Sequence, residues 1–189
     1  MALRLDPGLA RAHNQLGLLY LSEGRLPEAE RELEQALSLE PKWAEAQNNL
    51  AILYGRQGKN DMAENLLRKA VENDPRHMQA HVNLALILAA RGDFAHADAE
   101  VETAFKLSPN DASALKTLAM IRSRGGRPDD AIPLFRKVVG LDPNSAEAHL
   151  NLGIALADAR SLDGALVEFT EAVRLSPDSA SAHYNSDGC

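Results

Sequence analysis

Apolar residues along this chain fall into short stripes at helical spacing, separated by recurring breaks. Leu16 and Tyr20 share the first stripe, which Gly24 interrupts. A second stripe begins at Ala29 and ends before Pro41. Stripes of this period indicate amphipathic helices, and a glycine between two of them indicates a tight turn. The pattern therefore predicts a helical hairpin.

The hairpin pattern repeats with a fixed period of 34 residues, which is marked by prolines. These are Pro7, Pro41, Pro75, Pro109, Pro143 and Pro177. Counting each proline as position 32 of a repeat gives five repeats, flanked by partial repeats over 1–9 and 180–189. The five repeats span 10–43, 44–77, 78–111, 112–145 and 146–179. Since one hairpin cannot bury both its faces, we expect the units to stack into a single all-α domain.

The residues at fixed places in each repeat resemble the tetratricopeptide repeat (TPR) family throughout residues 10–179. Its pattern at positions 4, 7, 8, 11, 20, 24, 27 and 32 is met in the first repeat by His13, Leu16, Gly17, Tyr20, Ala29, Leu33, Ala36 and Pro41. Five copies in tandem make the match specific. The resemblance implies a right-handed superhelical solenoid in which first helices line a concave groove and second helices form the convex wall.

Composition and charge limit the partners that the groove can have. The chain of 189 residues is 45% hydrophobic and 25% charged, as in soluble globular proteins. Its net charge of −7 has the wrong sign for nucleic acid or an anionic membrane surface, so we expect neither. No apolar run is long enough to cross a membrane. The single cysteine, Cys189, is compatible with a reducing compartment, and we expect a cytoplasmic protein.

The histidines are the most tempting candidates for chemistry. His13, His81, His149 and His183 all fall at position 4, where the family carries aromatic residues that face the neighbouring helix. Rings one repeat apart do not converge on a point, whereas zinc requires three or four converging ligands. No catalytic triad, phosphate-binding loop or carboxylate pair stands out from the repeat pattern. We therefore expect no catalytic residues, no bound metal, no cofactor and no enzymatic activity.

Side-chain amides recur at position 6 of the first helices. They are Gln15, Asn49, Asn83, Asn151 and Asn185, and Thr117 interrupts the series. Asparagine is a mediocre helix former, but an exposed amide offers a donor and an acceptor to the peptide units of an extended chain. The series resembles the asparagine ladder in the groove of O-linked N-acetylglucosamine transferase, whose repeats hold substrate peptides by their main chain. The alternative is that asparagine is simply common at this position in such repeats.

Two further positions share the predicted groove face. Position 9 carries Leu18, Ile52, Leu86, Met120 and Ile154, while position 5 includes Asn14, Asn48 and Lys116. Because residues three apart on a helix are neighbours, positions 6 and 9 place a band of amides beside a band of aliphatic side chains. Such a band suits an extended or helical peptide with spaced apolar anchors. Partial burial between adjacent helices is the alternative for position 9, and exposure distinguishes the two.

The sequence thus predicts a scaffold that binds an extended peptide or protein segment of unknown identity in its groove. One alternative is a structural module that assembles with itself, and another is the substrate-recognition arm of a larger enzyme such as a glycosyltransferase. A clamp for chaperone C-termini is disfavoured, because position 9 is aliphatic and the required basic pair is absent. The chain begins and ends within a repeat without a polar cap, so we also expect end-to-end self-association.

Two repeats depart from the family pattern. In repeat 112–145, Arg122 replaces the large apolar residue of position 11, and Pro133 falls early in the second helix. Such a proline removes little hydrogen bonding but can bend a helix, so we expect locally weaker packing. In the fifth repeat, Arg160 and Ser161 stand where the glycine turn is expected.

Overall fold

A computed structural model describes residues 7–176, and this part of the chain is built from α-helices without any strand. The ten helices are α1 (Pro7–Ser22), α2 (Leu26–Leu39), α3 (Ala44–Arg56), α4 (Asn60–Asn73), α5 (Met78–Ala90), α6 (Phe94–Leu107), α7 (Ala112–Arg124), α8 (Pro128–Leu141), α9 (Ala146–Asp158) and α10 (Leu162–Leu175). The all-α class and the five pairs of helices confirm the predicted fold class.

The turn inside each hairpin depends on one residue with a left-handed backbone. Gly24, Gly58 and Gly126 have φ values of 75°, 74° and 77°. After the first of these, the Arg25 amide donates back to the Tyr20 carbonyl at 2.9 Å, which closes the helix end. Arg160 takes the same place in the fifth repeat with a φ of 61°, a conformation that glycine adopts without steric cost.

The helices form two compact units, Met1–Arg91 with α1 to α5 and Gly92–Cys189 with α6 to α10. In unit 1, α1 packs on α2 and α3 on α4, while α3 also touches the first helices α1 and α5. In unit 2, α7 packs on α8 and α9 on α10, and the hairpins meet through α8 and α9. Each unit therefore contains complete helical hairpins stacked on their neighbours.

Small residues allow the two helices of a hairpin to approach closely. Ala29 and Ala63 in unit 1 and Ala165 in unit 2 have no exposed surface. At Gly153, an added Cβ would lie 2.5 Å from Cε1 of Phe169, a ring that is itself only 2% exposed. The recurrent alanines and glycines thus set the packing distance within each hairpin.

The turn between successive hairpins is fastened by the residue at position 4. In unit 1, Gln47 Nε2 donates to the Pro41 carbonyl at 2.8 Å and His81 Nε2 to the Pro75 carbonyl at 3.1 Å. In unit 2, His149 Nε2 donates to the carbonyl of Pro143 at 3.1 Å. His81 and His149 therefore have a structural role. It rests on their hydrogen bonds to the turn as well as on their burial.

Candidate functional site

In unit 1, the amides of position 6 are hydrogen-bonded to asparagines of position 5 on the preceding first helix. Asn49 Nδ2 donates to Asn14 Oδ1 at 3.0 Å. One repeat later, Asn83 Nδ2 donates to Asn48 Oδ1 at 2.8 Å. The two bonds join α1 to α3 and α3 to α5, so the polar series also holds neighbouring first helices together.

Asn83 combines this bond with exposure. Its Oδ1 accepts a hydrogen bond from Gln79 Nε2 at 3.2 Å, and its side chain is half-buried. A side-chain amide has two N–H donors and two acceptor lone pairs, so one of each remains for another partner. The two bonds fix the orientation of Asn83 and leave one donor and one acceptor of its amide unoccupied.

The remaining asparagines of this series in unit 1 have little accessible surface. Asn14 and Asn48 are 0% and 3% exposed, and Asn49 is 7% exposed. The expectation that Asn14 and Asn48 contact a ligand directly therefore needs correction, because their carbonyl groups face the next first helix. Asn14 and Asn48 instead accept hydrogen bonds from Asn49 and Asn83. Gln15 on α1, in contrast, is exposed.

A cavity of about 290 Å³ opens between α3 and α5 beside Asn83. It is lined by Ala51, Ile52, Gly55, Arg56, Leu67, Asn83, Leu86 and Ile87. Leu86 is 41% exposed and Ile52 is half-buried, so position 9 is accessible here. The structure thus brings together three residues predicted from the sequence, Ile52, Asn83 and Leu86, in one apolar depression.

Arg56 is the charged member of this lining and is not among the residues predicted from the sequence. Its Nη1 donates to the Leu21 carbonyl at 3.1 Å, and its side chain is exposed. The signal in the sequence was its spacing, since Arg56 follows Ile52 by one helical turn and shares its face.

In unit 2, the predicted residues have a different environment. Asn151 is half-buried and forms no side-chain hydrogen bond with the described residues, and Thr117 in the preceding repeat is only 4% exposed. Lys116 donates from Nζ to Glu147 Oε1 at 3.2 Å beside a cavity of about 280 Å³. The side-chain amide of Asn151 is therefore partly accessible to solvent and has no hydrogen-bond partner among the described residues.

The position 9 side chains outside the unit 1 cavity are also accessible to different degrees. Ile154 is 38% exposed, while Leu18 and Met120 are half-buried. Asn185 lies outside the described residues, as do His183 and Cys189. The partial repeat 180–189 and most of 1–9 also lie outside them, and with these the ends invoked for self-association.

Between residues 7 and 176, no group of three or more His, Cys, Asp or Glu side chains is placed to hold a metal ion. None of the helices described here is both long and apolar enough to cross a membrane.

The sequence matches known repeat profiles over most of its length. A tetratricopeptide repeat profile matches residues 8–76, and a second tetratricopeptide repeat profile matches residues 48–112 and 116–180. No curated protein sequence matches the chain at a significant level.

Several solved structures are similar to this one. YrrB, a TPR protein with an unusual peptide-binding site, is 23% identical with a TM-score of 0.78, and the match covers 93% of this chain and 90% of YrrB. PilF from Pseudomonas aeruginosa is 23% identical with a TM-score of 0.83, covering 94% and 81% of the two chains. MamA from Desulfovibrio magneticus is 22% identical with a TM-score of 0.80, covering 90% and 97%. At these identities the likeness concerns the fold.

Proposed function

Because this chain belongs to the tetratricopeptide repeat family, we propose that it is a protein–protein interaction scaffold whose first helices hold an extended peptide segment. Members of this family generally act as scaffolds without catalysis, and we propose no enzymatic role. The scaffold acts either alone or as the recognition arm of a larger enzyme.

The observation that carries the proposal is the juxtaposition in unit 1 of an oriented amide and exposed aliphatic side chains. Asn83 has a free donor and acceptor, and Ile52 and Leu86 lie beside it in the same depression. An extended peptide needs such a combination, since its backbone requires hydrogen-bonding partners and its side chains require apolar contacts. The peptide-binding site of YrrB, a similar structure, is in keeping with it.

In unit 2, Asn151 and Ile154 offer the same pair of groups one helical turn apart. Asn151 has no protein partner among the described residues, so its amide is free to bind a peptide unit. We propose that Gln15, Asn49 and Asn83 are the peptide-binding amides of unit 1 and that Asn151 is the peptide-binding amide of unit 2. Asn83 and Asn151 should contribute most, because both are partly accessible and have unoccupied donors and acceptors.

Self-assembly is a second candidate, because α10 presents apolar side chains to solvent. Leu162, Leu166 and Val167 are 55%, 46% and 65% exposed. Leu166 and Val167 line a cleft of about 630 Å³ together with Pro143, His149 and Glu168. None of the proposed peptide-binding residues lies in this cleft, so the two functions are separable by mutation.

Fluorescence anisotropy with labelled short peptides of random sequence tests the proposal. We expect saturable binding by a subset of peptides, and Asn151→Ala should weaken it several-fold, because a net hydrogen bond contributes about 1 kcal/mol. Asn65→Ala is the matched control, since Asn65 is an exposed asparagine on the second helix α4.

Equal affinities of the wild type and Asn151→Ala for every bound peptide would remove Asn151 from the site. Absence of saturable binding to any peptide, combined with concentration-dependent association that Leu166→Ser abolishes, would favour the self-assembly function instead.

A further inference from the structure

The cavity between α3 and α5 is lined by the Arg56 side chain as well as by aliphatic residues. We infer that it selects an internal peptide segment in which an aliphatic side chain stands next to an Asp or Glu, with Arg56 binding the carboxylate. The inference rests on the proposed function and specifies the ligand class of that site in unit 1.

The floor of the cavity is mostly aliphatic. Ala51, Ile52, Leu67 and Leu86 contribute hydrocarbon surface, and Gly55 adds no side chain. Its volume of about 290 Å³ lies at the lower limit of the roughly 300–1,000 Å³ typical of small-molecule sites. It is small for a drug-sized ligand but has room for an aliphatic side chain together with the peptide units beside it.

The guanidinium of Arg56 is oriented but not neutralised. Its Nη1 is held by the Leu21 carbonyl at 3.1 Å, which leaves four of its five N–H donors for other partners. No carboxylate of the described residues forms an ion pair with Arg56, although acidic residues outnumber basic ones in this chain by 27 to 20. By contrast, the nearby Lys59 and Arg91 are paired with Glu30 and Glu64.

The lining also contains no acidic side chain that would compete for the cation. A guanidinium with free parallel N–H groups binds a carboxylate in bidentate geometry, and this contact is stronger than a neutral hydrogen bond. An acidic residue beside the aliphatic anchor therefore complements the charge of Arg56, whereas a lysine or arginine there would be repelled.

The test is a selection from immobilised random-sequence peptides with amidated C-termini, followed by titration of the best binder. We expect enrichment of Asp or Glu adjacent to Leu, Ile, Val or Met. Replacing the peptide's acidic residue by its amide should weaken binding to the wild type roughly two- to fivefold. The same replacement should have no effect on Arg56→Gln, and Arg56→Glu should favour a basic residue at that place.

Arg124→Gln is the matched control, because Arg124 occupies the same repeat position in unit 2 and is also exposed. Arg56→Lys retains the charge and should retain most of the acidic preference. Fluorescence of Trp43, the only tryptophan, verifies that each unit 1 variant is folded.

An equal effect of the peptide change on the wild type and Arg56→Gln would overturn the inference. So would selection without an acidic preference, or peptides that bind only when a free C-terminal carboxylate is restored. In these cases binding that remains sensitive to Asn151→Ala would leave the proposed function standing. Failure of every peptide to bind would remove both.

Discussion

In unit 1, the amides of Asn49 and Asn83 are tied to Asn14 and Asn48 on the preceding first helix, whereas in unit 2 Asn151 has no such bond within the described residues. The difference comes from position 5. Unit 1 supplies a second asparagine there, while unit 2 supplies Lys116 and Leu150, and Lys116 is paired with Glu147 instead. The same residue type at the same repeat position therefore joins neighbouring first helices in unit 1, where Asn83 still keeps one donor and one acceptor, and makes no such bond within the described part of unit 2.

Position 11 differs between the units in a related way. In unit 1, Tyr54 is 4% exposed, its hydroxyl lies 3.3 Å from Glu34 Oε1, and Lys59 Nζ lies 5.0 Å from its ring centre. In unit 2, Arg122 occupies this position and its Nε donates to Asp98 at 3.0 Å. The departure of repeat 112–145 from the family pattern is thus accommodated by a charged pair, which Arg127 joins at 3.1 Å.

The largest expected effect is a loss of stability of unit 1 at alkaline pH, caused by ionisation of Tyr54. Burial and the carboxylates of Glu30 and Glu34 raise the pKa of Tyr54 from 10.0 to about 12. Between these values the folded state keeps a proton that the unfolded state has released, so the free energy of unfolding falls as pH rises. The contribution is fully present below pH 10, and its loss by pH 12 amounts to about 2 kcal/mol.

Urea unfolding followed by Trp43 fluorescence at several pH values measures this loss. In Tyr54→Phe the part of the decline due to this proton should vanish, while that due to other groups remains. Identical pH profiles for the two proteins would contradict the assignment.

The second-largest expected effect is a loss of stability when an asparagine is replaced in unit 1 but not when one is replaced in unit 2. Asn49→Ala leaves the Oδ1 of fully buried Asn14 without its donor, which should cost about 1–2 kcal/mol of stability. Asn151→Ala breaks no bond within the described residues and should change stability by less than about 0.5 kcal/mol. Urea unfolding monitored by circular dichroism checks both, and a larger loss for Asn151→Ala would reverse the comparison.

The smallest effect concerns the left-handed residue of the hairpin turn. Gly58→Ala should destabilise unit 1 by about 1 kcal/mol, because its φ is 74° while the added Cβ meets nothing within 4 Å. Arg160→Gly should stabilise unit 2 by up to about 1 kcal/mol, since it relieves the same strain at a φ of 61°. Thermal melting of both variants measures the two shifts, and shifts of the same sign would refute the strain account.

Much of the fold follows directly from the sequence. The proline period and the recurring glycines predicted the helical hairpins, because helix termination and left-handed turns depend on local residue chemistry. Arg160 was recognised as an exception for the same reason. Ala29 also meets the family pattern at position 20, and the structure shows Ala29 and the corresponding Ala63 with no exposed surface.

The amide pairs and the environment of Arg56 depend on contacts between helices. Asn14 and Asn49 are 35 positions apart in the sequence and lie on different helices. Whether the Asn14 side chain faces solvent or Asn49 therefore depends on the distance between these helices, which the pattern within one helix does not specify. Similarly, Arg56 matters because it lines a depression formed by two neighbouring first helices. Sequence patterns locate residues on a helix face, whereas the contacts between faces require the packed structure.

The central claim, that free amides of the first helices bind a peptide main chain, is tested most directly by replacing single backbone N–H groups of a bound peptide with ester oxygens. The affinities of the peptide and of each ester analogue are measured for the wild type and for Asn151→Ala. We predict that at least one ester lowers affinity for the wild type several-fold and leaves affinity for Asn151→Ala unchanged, because the variant lacks the partner of that N–H. Equal losses for both proteins at every ester position would contradict the account.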